Sequence, residues 1–199
     1  MQAAARKIGR IKPENSVFFL CDVQERFRDL ISHMPSVVHV SDLMVKAAPV
    51  FKIPVVVTEQ YPKAFGRIVP EIDLSGEEVH KFEKTRFSML TEDVTAFLSQ
   101  HPQRTSVVLF GIEAHVCVLQ TALDLLERNY DVHILADGTS SQRPSDRVMG
   151  FERMKQSGAY LTTSDSMLFQ LMGDAKYSNF KAISNLIRGD RPDAGISRL

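Results

Sequence analysis

Val107-Val108-Leu109-Phe110 is an unbroken apolar run closed by Gly111, and a short turn later Cys117 to Arg128 reads as a helix. Continuous apolarity, as opposed to alternation, marks a strand buried on both faces. The helix that follows carries Leu119, Ala122, Leu123 and Leu126 on one stripe, at i, i+3, i+4 and i+7. The same unit recurs outward from this point. Val17-Phe18-Phe19-Leu20-Cys21 and Pro54-Val55-Val56-Val57-Thr58 precede it, Val132-His133-Ile134-Leu135-Ala136 follows it, and Val37 to Phe51 is a second helix. Glu77 to Glu83, which alternates, and Ala159 to Thr163, after the turn-forming Ser157-Gly158, complete about six strands. Strand followed by helix, repeated, predicts an α/β fold: a three-layer α/β/α, doubly wound, Rossmann-like and mostly parallel six-stranded sheet. Glu59 to Gly76, interrupted by Pro62, Gly66 and Pro70, is the longest irregular stretch and a candidate pocket wall. Tyr177 to Arg188 predicts a short helix ended by Gly189.

With 199 residues, residues 1–199 are expected to form a single domain. The 24 basic and 24 acidic residues cancel and are dispersed, which leaves no electrostatic footprint for nucleic acid or a membrane surface. A small-molecule partner is expected by elimination. Two cysteines inside apolar runs, Cys21 and Cys117, form neither a disulfide framework nor a zinc cluster. The six histidines show no His-x-His or His-Glu-x-x-His pattern, so no metal and no cofactor is expected. No stretch approaches the roughly 20 apolar residues of a membrane span, and the first residues lack a signal-peptide apolar region. A soluble, cytoplasmic protein is expected; in a eukaryote, Ser197-Arg198-Leu199 at a free C-terminus would resemble a peroxisomal address.

In open parallel sheets, ligands bind outside the carboxyl ends of the strands. The first strand ends in Asp22, the second in Thr58-Glu59-Gln60, the third in Glu83-Lys84, the fourth in Gly111 and the turn to Cys117, and the fifth in Asp137. A carboxylate, an ammonium and a thiol can converge there. A helix N-terminus and a nearby lysine both favour a thiolate. Asp22 would accept the Cys117 proton and return it to a leaving group, Lys84 would stabilise the ion pair, and N–H groups of the Gly111 to Cys117 turn would face an oxyanion. Each residue also has a plainer reading. Cys117 could be a buried small hydrophobe, Asp22 a helix N-cap and Lys84 part of a solvated cluster with Glu83 and Arg86. Cys21, inside the strand run, reads as core. His115, two residues before Cys117, is a less favoured base.

Asp22-Val23-Gln24-Glu25-Arg26-Phe27, Lys84-Thr85-Arg86-Phe87-Ser88 and Gly111-Ile112-Glu113-Ala114-His115-Val116-Cys117-Val118 with Thr121-Ala122 together resemble the isochorismatase-like cysteine hydrolases. Thr58-Glu59-Gln60-Tyr61-Pro62 brings the resemblance nearest to the eukaryotic isochorismatase domain-containing proteins. It spans a core of about residues 15–175, leaving 176–199 as a tail. The resemblance implies an Asp22, Lys84, Cys117 triad and a non-proline cis peptide at Ile112-Glu113, which turns the N–H groups of Glu113 and Cys117 toward the oxyanion. It implies a covalent acyl-enzyme, cleavage of a C–N bond in a small amide or carbamoyl-type substrate, and a homo-oligomer. Phe27, Gln24, Tyr61, Phe87 and His115 are the expected substrate-binding residues. Nicotinamidases of the family carry a metal-binding Asp-x-His after the second strand, whereas this chain has no histidine between His39 and His80. True isochorismatases lack the nucleophilic cysteine. The rival expectation is a non-catalytic binding or assembly protein that keeps the fold and an inert thiol, and a nuclease or RNA-binding role is disfavoured by the neutral charge and the missing aromatic-basic interleaving.

Overall fold

The apolar runs become adjacent, fully buried strands in the computed structural model, which describes residues 8–196. The strands in chain order are β1 (Ser16–Cys21), β2 (Val55–Gln60), β3 (Val79–Lys84), β4 (Ser106–Ile112), β5 (Asp131–Ser140) and β6 (Tyr160–Thr162), of which β3 and β6 are partly exposed edge strands. The helices are α1 (Met34–Phe51), α2 (Pro62–Phe65), α3 (Glu92–Ser99), α4 (Cys117–Glu127), α5 (Pro144–Gln156), α6 (Ser164–Met172) and α7 (Phe180–Leu186). All five pairings are parallel and the strand order is β3-β2-β1-β4-β5-β6.

Successive residues of a strand face opposite sides of the sheet, so the central strand supplies both cores. Phe18 and Leu20 join a cluster with α1, α6 and α7, whereas Val17, Phe19 and Cys21 join one with α3, α4 and α5. The result is the three-layer, doubly wound architecture. Residues Leu119, Ala122, Leu123 and Leu126 were expected to form the α4 stripe. Val118, Ala122 and Leu125 are its fully buried members, with Leu119 and Leu126 packed partly against the same cluster.

Three helices carry weaker signals than α1 and α4. Thr91 caps α3, its side chain accepting from Val94 N, and Thr163 caps α6, accepting from Ser166 N. α5 starts at Pro144. Two expectations need correction. The 59–76 stretch is not wholly irregular, since it begins in β2 and folds a turn of helix at α2. β5 also does not end at Asp137 but continues to Ser140, after a shift of register opposite Leu109 and Gly111. Asp137 therefore lies within the strand, where its carboxylate accepts from Ser164 N and Ser164 Oγ and is not available to a site at the strand ends.

Candidate active site

The chain passes from β1 to α1 on one side of the sheet and from β4 to α4 on the other. The strand order reverses between β1 and β4, which opens a crevice at their carboxyl ends. Cys21 is paired with Gly111 at that point. Asp22 follows in the left-handed region, φ 53°, which an aspartate tolerates better than most residues. It caps no helix. The left-handed turn interrupts the strand alternation, so the Cys21 thiol and the Asp22 carboxylate come to the same place, with Cys21 Sγ donating to Asp22 Oδ2 at 3.5 Å.

Asp22 Oδ1 accepts from Thr58 Oγ1 at 2.8 Å, and Oδ2 accepts from Lys84 Nζ at 2.6 Å. Lys84 is no solvated cation. Its side chain is 0 % exposed, and its ammonium also donates to Gln60 Oε1 and to the carbonyls of Arg86 and Phe87. Burial pushes the Asp22 carboxyl above its ordinary value, against the pull of Lys84 and Thr58. Burial alone would depress the Lys84 ammonium. The charge of the Asp22 carboxylate and its hydrogen bond to the ammonium oppose that and hold it up. Both groups are thus pushed toward their protonated forms, so the ammonium is kept and the carboxylate can hold a proton.

Cys117 is the first residue of α4, which begins without a side-chain cap. The two sulfurs and an Asp22 carboxylate oxygen all lie within 4.8 Å of one another. Cys21, Asp22 and Cys117 are the group among the described residues that could ligate a metal ion. The Lys84 ammonium already stands at hydrogen-bond distance from that carboxylate, where a metal cation would have to compete with it. The Ile112–Glu113 peptide bond is cis. The N–H groups of Val116 and Val118 both donate to the Glu113 carbonyl, at 3.0 and 3.2 Å. Among the described residues, the N–H groups of Glu113 and Cys117 have no backbone acceptor.

Asp22 and Cys117 open onto a cavity of about 190 Å³. Phe27, Phe65, Phe87, Ile112 and Val116 form its apolar walls, and Gln60 and Glu113 complete it. Phe27 and Phe65 stack at 5.0 Å. Of the side chains expected to bind substrate, Phe27 and Phe87 therefore reach the cavity, while the other three do not line it. Gln24 is buried and its amide is satisfied by backbone: Nε2 donates to the carbonyls of Gln60 and Gly66, and Oε1 accepts from Gln60 N. It clamps the end of β2 to the loop beyond. Tyr61 is half exposed and starts α2. His115 lies 3.0 Å from Ser141 Oγ and near Asp146.

Thr58, Gln60, Phe65 and Val116 belong to the site without having been assigned a role in it. Thr58 and Gln60 were legible as residues delivered by the second strand to the correct edge. Phe65 was not, because its place depends on how 61–69 folds back: Gln24 bridges Ile68, and Glu59 accepts from Arg67 Nη1 and Ile68 N.

Residues 16–166 match the model of the isochorismatase domain. Isochorismatase domain-containing protein 2 of Xenopus laevis is 46% identical over 99% of this chain and 95% of its own length. The human protein of that name is 44% identical over 98% and 94%. Among solved structures, one described as MAR1 ribonuclease from Caenorhabditis elegans superposes with a TM-score of 0.89 at 42% identity, covering 94% of this chain and 96% of that one. With this fold, this site at the reversal of strand order and relatives matching nearly end to end, the chain belongs to the isochorismatase family.

Proposed function

We propose that this chain is a metal-independent cysteine hydrolase that cleaves the C–N bond of a small amide or carbamoyl-type substrate. One observation carries the reading: three strand ends bring a thiol, a buried carboxylate and a buried ammonium together at the floor of a small apolar cavity. Asp22 takes the Cys117 proton, and the sulfur attacks the carbonyl carbon. The oxyanion forms against the N–H groups of Glu113 and Cys117. Asp22, whose burial favours the protonated form, returns the proton to the departing nitrogen. Water then attacks the thioester, with Asp22 again as base, and frees the acid. Lys84 touches no substrate in this scheme. It holds Asp22 in place and offsets the negative charge.

The test is a panel of small amides and carbamoyl compounds turned over by wild type and by Cys117→Ala, with intact mass recorded for an acyl adduct. Turnover and an adduct in the wild type are expected, and neither in the variant. Equal turnover by both proteins would remove the covalent mechanism. Because the C. elegans relative is described as a ribonuclease, RNA oligonucleotides belong in the panel. Cleavage of RNA that depends on Cys117, without amide turnover, would replace this reading with phosphodiester chemistry. Should Cys117 alkylate with iodoacetamide no faster than a model thiol at about pH 6, and Asp22→Ala change nothing, the binding-protein reading would prevail.

A further inference from the structure

Cys21 has no part in the amide chemistry, yet its sulfur shares a 4.8 Å cluster with that of Cys117. The two thiols differ in access. Cys117 is 7% exposed and lines the cavity, whereas Cys21 is 0% exposed and packed in the core. Burial pushes the Cys21 thiol well above its ordinary value, so it persists as S–H, donating to Asp22 Oδ2. A small polar oxidant entering the cavity meets Cys117 first. Anything formed on that sulfur then faces a second thiol whose proton already points at a carboxylate.

We propose that Cys117 and Cys21 form an oxidation site for small hydroperoxides, with Cys117 as the sulfur oxidised and Cys21 as the resolving thiol that closes an intramolecular disulfide. In the first step the Cys117 sulfur attacks the terminal oxygen of the hydroperoxide. The S–O bond forms, the O–O bond breaks, the sulfur loses two electrons to become a sulfenic acid, and the alcohol or water leaves with the displaced proton. In the second step Asp22 takes the Cys21 proton and the Cys21 sulfur attacks the Cys117 sulfur. The S–O bond breaks, the hydroxide takes the proton from Asp22 and departs as water, and the disulfide remains. One hydroperoxide is reduced and two thiols are oxidised.

Closing the bond brings the sulfurs to about 2.05 Å, a movement of roughly 3 Å at most. Each cysteine sits at an element boundary, Cys21 as the last residue of β1 and Cys117 as the first of α4, so on one side of each the backbone is outside the strand or helix. The disulfide masks the nucleophile reversibly and diverts the sulfenic acid from the irreversible sulfinic state.

The experiment treats the whole chain with hydrogen peroxide at about two equivalents or more, one for each oxygen a sulfinic acid takes up, and reads intact mass and non-reducing peptide maps. Wild type is expected to lose about 2 Da, to yield a linked pair of peptides bearing Cys21 and Cys117, and to recover its mass and iodoacetamide labelling with dithiothreitol. Cys21→Ser under the same dose should go on to gain about 32 Da, which the reductant does not reverse. Cys117→Ser should keep its mass, because Cys21 is walled off from solvent. Wild type that gains about 32 Da as fast as Cys21→Ser, or linked peptides that join Cys117 to Cys117 of a second molecule, would overturn the proposal. If Cys21→Ser fails to fold, the wild-type map alone decides. The readout is a mass, so it stands or falls separately from the amide panel.

Discussion

The Asp22 carboxylate accepts from Cys21, Thr58 and Lys84, and one of these bonds can be removed with little change of shape. Thr58 Oγ1 donates to Oδ1 at 2.8 Å and pulls the carboxyl down, opposing its burial. Thr58→Val should therefore raise the Asp22 pKa further, since a hydrogen bond to the carboxylate favours its charged form. Asp22 must be ionised to accept the thiol proton. A higher pKa leaves less of it ionised at acid pH, so the acid limb of kcat/KM should move up by the same amount. The pH profiles of wild type and Thr58→Val read this directly, and an unmoved acid limb would show that another group titrates. Asp22, Lys84 and Cys117 were legible in the sequence because charged and nucleophilic side chains at strand ends stand out against apolar runs. Cys21 did not, because it continues such a run. The left-handed backbone at Asp22 gives it a second role.

The joint between β1 and β4 depends on Gly111. Its φ is +118°, and a Cβ there would collide with the Cys21 carbonyl oxygen and lie 2.8 Å from Cys21 N. Backbone, unlike a flexible side chain, cannot swing aside. Gly111→Ala should destabilise the fold by roughly 3 kcal/mol or more and part the Cys21-Asp22 segment from the Cys117 turn. Urea unfolding measures the first effect, and turnover per folded molecule the second. A variant as stable and as active as wild type would mean that the two strands can separate freely. Strand existence was legible here, but strand length less so. Asp137-Gly138-Thr139-Ser140 consists of turn-forming residue types, yet it stays buried in β5. The Arg147 guanidinium donates to the carbonyls of Ala136 and Thr139 from α5, the helix that follows, a tertiary contact that holds these residues in the strand.

The stability of the whole molecule should carry the signature of His133. It is buried in β5 and stacked on Tyr160 at 5.1 Å, and among the described residues its Nε2 has no hydrogen-bond partner. Burial pushes its pKa from 6.5 down to about 4. The unfolded chain thus takes up a proton at a pH where the folded chain does not. The stabilisation from keeping His133 neutral is complete above about pH 6.5 and is lost as the pH falls toward 4, by roughly 3 kcal/mol. Urea midpoints of wild type should drop across that window, and His133→Phe, which keeps a ring against Tyr160, should flatten the drop. An equally steep fall in the variant would assign the acid sensitivity to other groups. No helix among the described residues is long and apolar enough to cross a membrane. The Ser197-Arg198-Leu199 tripeptide lies outside those residues.

Periodicity along the chain was enough for the class of fold, because a strand buried on both faces and a helix buried along one stripe each impose a local pattern of apolar residues. It also marked the sheet edge where chemistry collects, since each strand end follows directly from its run. The order β3-β2-β1-β4-β5-β6 and the contacts it makes were not local. Asp22, Thr58, Lys84 and Cys117 are far apart in sequence and meet because β1 pairs with both β2 and β4, and β2 with β3. The same pairing sets Cys21 beside Cys117. Those distances come from hydrogen bonding between strands, which no spacing along one strand encodes.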